Sequence, residues 1–160
     1  MRKIWYLLKC PEGNEEDYME KCRKLDRENG LTEIVCFRYQ RLMRYGGGWH
    51  MERRMLLPGF IFLYGKEEGA LKNTGRREKF FLYPCESPYV KVLCSHDNLI
   101  HMSRGIIRNG TTVVTEGPLK SRENLIRKID RHKRTAKLGV PFGGKTVEIT
   151  VGLEIYQKET

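Results

Sequence analysis

Residues 56–64 read Leu-Leu-Pro-Gly-Phe-Ile-Phe-Leu-Tyr. Pro58 fixes one backbone torsion and Gly59 permits a positive one, so Leu57-Pro58-Gly59 predicts a tight turn. The five apolar residues that follow, Phe60 to Tyr64, predict a central strand. Towards the amino terminus, Ile4 to Cys10 is a second short apolar run, closed by Pro11 and Gly13. Asn14 can cap a helix there, with Glu15, Glu16 and Asp17 in its positive first turn. Tyr18, Cys22 and Leu25 recur at helical spacing, and Gly30 after Asn29 is a stop signal. Glu33 to Tyr45 reads as a strand, Gly46-Gly47-Gly48 as a hairpin tip, and Trp49 to Leu56 as the return.

Beyond the central strand, Glu67 to Asn73 reads as a short helix, and Phe80 to Tyr83 and Tyr89 to Leu93 as short strands. Ser95 is a cap for a last short helix through Met102. Residues 1–103 thus predict an α+β domain. Residues 104–110 lack apolar periodicity and read as a linker. From Thr111 onward the pattern is all short strands: Thr111 to Thr115, a turn at Gly117-Pro118, Ala136 to Val140, a hairpin at Gly143-Gly144, and Val147 to Ile155. Ser121 to Arg134 fits a strand by alternation. Leu125, Ile126 and Ile129 fit one helical face equally well, and the strand reading is adopted from its neighbours. Five short strands over residues 111–160 predict a small five-stranded barrel.

The chain has 160 residues, 30 Lys+Arg against 20 Asp+Glu, and a net charge of +10. That excess points to an anionic partner, nucleic acid before membrane. It is uneven: residues 104–160 hold 12 basic against 6 acidic side chains. The five cysteines form no CxxC and no zinc-spaced pair, so they read as reduced residues of a cytoplasmic protein. No apolar run approaches the ~20 residues of a membrane span.

The order of these features resembles the NusG-like transcription factors. The residues that carry it are Ile4-Trp5-Tyr6-Leu7-Leu8 with the glycine loop and acidic helix, and Leu56-Leu57-Pro58-Gly59-Phe60-Ile61-Phe62. They stand where the family's NGN domain has its first strand and its Phe-Pro-Gly-Tyr strand. Val113-Val114 leading into Glu116-Gly117-Pro118-Leu119 resembles the opening of a KOW domain, an SH3-like barrel. The stretch 126–134 with Val151 to Ile155 is most similar to the LoaP subgroup, specialised NusG paralogues that act as antiterminators. Leu57 departs from the usual Phe, residues 73–81 lack the usual tryptophan helix, and Ser121 stands where glycine is usual.

The resemblance implies a monomeric antitermination factor with no catalysis and no cofactor. A groove of Trp5, Tyr6, Leu57, Pro58, Gly59 and Phe60 would hold the clamp helices of the largest RNA polymerase subunit. Trp5 and Tyr6 are neighbours on one strand and point to opposite faces, so one can enter the core while the other meets a partner.

The basic segment Lys120, Arg122, Arg127, Lys128, Arg131, His132, Lys133, Arg134 and Lys137 would bind a structured hairpin in the nascent transcript, by phosphate pairing and shape. Arg38, Arg41, Arg44, Arg53 and Arg54, around the glycine tip, could face upstream DNA. An ordinary NusG-type factor whose KOW domain binds proteins is one alternative. A stand-alone RNA-binding or ribosome-associated KOW protein is another. Gly139 to Thr146 fits G-x-x-x-x-G-K-T formally, but Pro141 sits inside it and no helix-length segment follows, so a nucleotide-dependent enzyme is not favoured. None of the four histidines forms HxxxH or HExxH.

Overall fold

The computed structural model describes residues 2–26, 30–66 and 81–160. They fall into two compact units: Met1–Cys36 with Leu57–Pro88, and Phe37–Leu56 with Tyr89–Thr160.

The first unit is built on strands β1 (Lys3–Lys9), β2 (Leu31–Val35), β5 (Phe60–Lys66) and β6 (Phe81–Cys85), with helix α1 (Glu15–Asp26). The sheet order is β2-β5-β1-β6, antiparallel throughout. β1 and β5 are the two apolar runs of the sequence and occupy its centre. α1 packs on β2 and β5, and Glu15, Met19 and Cys22 are the buried ones among its described side chains, the spacing of one helical face. Three acidic residues stand in its first turn and Arg23 and Lys24 in its last, matching the helix dipole at both ends. The helix expected over Glu67 to Asn73 lies outside the described residues.

The second unit holds a three-stranded and a five-stranded sheet. β3 (Arg38–Tyr45) and β4 (Gly48–Met55) form the hairpin, and β7 (Leu99–Ile100) pairs parallel to β3. Gly46 and Gly47 both have positive φ, as a two-residue hairpin turn requires. The larger sheet runs β10-β11-β12-β8-β9, with β8 (Ser103–Arg108), β9 (Thr111–Glu116), β10 (Ile126–Asp130), β11 (Thr135–Phe142) and β12 (Lys145–Glu159). β12 is long enough to serve two partners: residues 145–152 pair with β11, and 153–159 run parallel to β8.

Several expectations change. The single strand over 33–45 is two strands, β2 and β3, in different sheets. Residues 104–108, expected as linker, lie in β8, with Gly105 and Ile106 buried. The glycine-tipped hairpin, expected within an amino-terminal domain, falls in the same unit as the carboxy-terminal strands. Tyr89–Leu93 is a 3-10 helix rather than a strand. Val90 and Leu93, three apart and both buried, suit that turn. The helix expected after Ser95 is a tight turn, with Asn98 donating to the Ser95 carbonyl at 3.0 Å, leading into β7. Five strands carry the carboxy-terminal sheet, but no pairing among the described residues joins its edges β9 and β10, so no closed barrel is formed.

Ser121 takes φ +65°, the left-handed region. A side chain there costs energy that glycine avoids. Ser121→Gly is therefore expected to stabilise the chain by roughly 0.5–1 kcal/mol, read as a higher urea midpoint at unchanged slope. A lower midpoint would show that its hydroxyl, and not its backbone, is what the turn needs.

Candidate functional site

Strand alternation sorts the amino-terminal candidates onto two faces. Tyr6, Leu8, Ile61 and Leu63 share one face and are almost wholly buried, Tyr6 at 1% exposure. Trp5, Leu7 and Lys9 share the other with Phe60, Phe62 and Tyr64, each directly opposite across the β1–β5 ladder. Trp5, Phe60 and Tyr64 are half-buried there, and Tyr83, opposite Leu7 on β6, is 48% exposed. The Trp5 and Tyr64 rings lie 4.8 Å apart. The Lys9 ammonium sits 5.8 Å from the Phe60 ring centre and 6.0 Å from that of Tyr83, within cation–π range of both. Trp5 and Phe60 of the expected groove therefore belong together, while Tyr6 is a core residue. Tyr64, Tyr83 and Lys9 complete the face and went unread. The i, i+4 relation of Tyr64 to Phe60 and of Lys9 to Trp5, on one face of each strand, was the available signal for two of them.

The turn beside this face is tied down by Glu15. Its Oε1 accepts the Gly13 N–H at 2.7 Å and its Oε2 the Gly59 N–H at 3.0 Å. Cys10 N–H donates to the Gly59 carbonyl at 2.9 Å, and Phe60 N–H closes the turn on the Leu57 carbonyl at 3.1 Å. Gly59 is buried with φ +83°, and a Cβ there would stand 2.9 Å from the Cys10 carbonyl oxygen. Glycine is required on both counts. Pro58 is exposed and Leu57 half-buried at the turn's outer side.

The basic candidates sit mostly on the β10–β11 hairpin. Lys128 and Lys137 face each other across it. Arg131, His132 and Lys133 are exposed in its turn, which Asp130 shapes by accepting the Lys133 N–H at 2.9 Å. That N–H, with the Lys133 charge behind it, holds the Asp130 carboxyl below the usual range. Arg127 is extruded at a bulge and lies over Gly139. Arg134 stacks on Trp49 of β4 at 3.9 Å from the ring centre and pairs with Glu154 at 3.8 Å. Lys120 is exposed in the preceding turn, whereas Arg122 is turned inward and donates to the Pro118 carbonyl at 3.2 Å. The expected cluster thus stands together apart from Lys120 and Arg122.

The five hairpin arginines do not share a surface. Cross-strand register puts Arg41 and Arg54 on one face of the hairpin and Arg38, Arg44 and Arg53 on the other. Arg54 pairs with Glu52 at 2.5 Å and Arg53 with Asp97 at 4.0 Å. Arg44 lies 5.9 Å from the ring centre of Trp49, which is itself 37% exposed. Trp49 was missed because a lone tryptophan beside a glycine tip carries no periodic signal.

Gly139 to Thr146 forms the end of β11, a two-residue turn at Gly143-Gly144 and the start of β12. That is a hairpin, not the strand–loop–helix that a phosphate loop needs. No group of three metal-ligating side chains occurs among the described residues. None of the five cysteines is joined in a disulfide. Burial pushes the Cys85 thiol up to about 11 and the Cys94 thiol to about 12, so both stay protonated at neutral pH. No helix among the described residues is long and apolar enough to cross a membrane.

No family model and no curated protein matches the chain. Among solved structures the chain is similar to NusG of Thermotoga maritima, described under "Domain interaction in Thermotoga maritima NusG". The two share 17% identity and a TM-score of 0.51, over 95% of this chain and 94% of that one. The chain therefore has a NusG-like fold.

Proposed function

We propose that this NusG-like chain is a cytoplasmic transcription elongation factor that binds RNA polymerase through its aromatic face and suppresses termination. The observation that carries this is the face itself. Trp5, Phe60, Tyr64 and Tyr83 line one side of a sheet beside a rigidly held Pro-Gly turn, in a fold shared with a transcription factor over nearly its whole length. Half-buried aromatics on a strand face suit the apolar side of a partner helix, and the polymerase clamp helices are that partner in this reading. The basic β10–β11 hairpin adds the recruiting contact, a structured hairpin in the nascent RNA. This is the specialised, LoaP-like form of the activity. The factor works by holding the polymerase in an elongating form and needs no chemistry of its own.

Transcription by purified polymerase through an intrinsic terminator, with and without an RNA hairpin encoded upstream, tests both halves. Wild-type chain is expected to raise readthrough only on the hairpin template. A hot-spot aromatic contributes ~2 kcal/mol or more, so Trp5→Ala with Phe60→Ala should need at least about 30-fold more protein for the same readthrough. Tyr83→Ala, at an exposed position, repeats the test without touching the core. Equal readthrough by all variants would sink polymerase binding through this face. Readthrough indifferent to the RNA hairpin would sink the recruiting role and favour an ordinary NusG-type factor.

A further inference from the structure

The glycine-tipped hairpin and the basic β10–β11 hairpin share a cleft within the second unit. Its volume is about 340 Å³, and its walls include Arg41 from β3 and Lys128, Lys133 and Lys137 from the β10–β11 side. Asp130 is the carboxylate on its wall, and its Oδ1 already accepts the Lys133 N–H. Lys137 also pairs with Glu148, at 3.6 Å. Lys128 and Lys137 stand directly opposite in register, a like-charge arrangement that costs stability in an empty site. The Arg41 Nε–H is buried and has no hydrogen-bond partner among the described residues. Glu52 lies across the ladder from Arg41 but is engaged by Arg54 and Tyr45. A buried, charged donor without an acceptor is expensive, and folded proteins rarely keep one unless something else supplies the oxygen.

We infer that this cleft binds a backbone phosphate of RNA, with the Arg41 guanidinium as its innermost donor. The proposal deepens the RNA-recruitment reading and rests on it. A phosphate oxygen satisfies the Nε–H, and the planar guanidinium matches two phosphate oxygens at once. The three ammonium groups neutralise the charge at the mouth, and the Thr135 and Thr150 hydroxyls on the wall can donate to remaining oxygens. A cleft of this size leaves room for the attached sugar, whereas a carboxylate would leave most of the cations unmatched. Arg41 thereby belongs with the β10–β11 basic residues and not with a separate DNA-facing hairpin.

The test uses the full chain labelled with ¹⁵N-arginine. The Arg41 Nε–H resonance is assigned by its loss in Arg41→Lys, then followed on adding a short RNA stem-loop or inorganic phosphate. The stem-loop is expected to shift it. Arg41→Gln and Lys128→Gln should each weaken stem-loop binding about ten-fold and lower the salt slope by about one phosphate. Lys145→Gln, exposed at the β11–β12 turn, should leave both within two-fold. Unchanged affinity and slope in Arg41→Gln and Lys128→Gln, with binding still weakened by Lys133→Ala plus Arg134→Ala, would overturn the cleft and leave the RNA reading standing. Absence of stem-loop binding by the wild-type chain would overturn both. A resonance moved by inorganic phosphate and not by the stem-loop would overturn the backbone-phosphate assignment in favour of a free anion.

Discussion

Glu15→Ala is expected to destabilise the first unit by about 3 kcal/mol, because it strips two backbone donors, the Gly59 one buried, of a charged acceptor. Glu15 is only 4% exposed, and its two oxygens serve the Gly13 and Gly59 N–H groups separately. The Gly59 N–H is buried and has no water to fall back on once the carboxylate is gone, whereas Gly13 is exposed and its N–H can turn to solvent. The carboxylate also sits at the positive end of α1, where a negative charge is favoured. Glu15→Gln keeps one acceptor oxygen but brings an amide N–H₂ towards the second donor, so about half of the loss should remain. Denaturant unfolding measures the loss, and hydrogen exchange at the Gly59 N–H locates it. That proton should exchange much faster in Glu15→Ala, while those of β11 and β12 stay protected. A variant within 0.5 kcal/mol of wild type would show that the loop, not the carboxylate, holds the Pro-Gly turn. The functional consequence follows from position. The turn that presents Phe60 is fixed by a residue read in the sequence only as a favourable helix-end charge.

That difference marks how far the sequence could be read. Helix α1 was legible because its cap, its acidic first turn and its Tyr18–Cys22 spacing are local. So were β1, β5, the Gly46-Gly47 turn and the Gly143-Gly144 turn, where composition and backbone need coincide. The break at Cys36–Phe37 was not. Residues on both sides are strand formers, and the change of sheet is dictated by different partners, β5 for β2 and β4 for β3. The ambiguity over residues 121–134 has a specific cause. The bulge at Arg127 puts Ile126 opposite Leu138 and Ile129 opposite Ala136, on the same face. A bulged strand thus acquires the three-residue spacing of a helix. At the site, alternation stated that Trp5 and Tyr6 oppose each other but not which faces outward, since that depends on which face of the sheet is covered. The meeting of Arg41 with Lys128 and Lys137 joins segments more than eighty positions apart, and no local pattern encodes it.

Gly152→Ala is expected to cost about 3 kcal/mol, at the upper end of overpacking effects, and to remove stem-loop binding together with it. Gly152 is buried on β12, opposite Thr135 of β11, where β3 crosses closely. A Cβ there would overlap the Gln40 carbonyl oxygen and the Met102 sulfur. The sulfur ends a flexible side chain and can move. The carbonyl belongs to β3 and cannot yield without shifting the strand. Gln40 is held as well by its side-chain oxygen, which accepts the Met102 N–H at 3.1 Å. Relief of the overlap must therefore displace β3 from β12, and Arg41, the next residue on β3, moves with it. The control is Gly48→Ala: its φ is not positive and its Cβ would meet only the His50 ring, at 4.0 Å, so the change should stay within about 0.5 kcal/mol. In a Trp5→Phe background Trp49 is the sole tryptophan, and its stack with Arg134 makes its fluorescence a reporter of the second unit. If Gly152→Ala leaves the Trp49 unfolding midpoint and the stem-loop affinity unchanged, β3 is free to move and the cleft is not preorganised. If the midpoint falls and affinity falls further than the lost folded fraction explains, the close approach at Gly152 is what holds Arg41 in place for its phosphate.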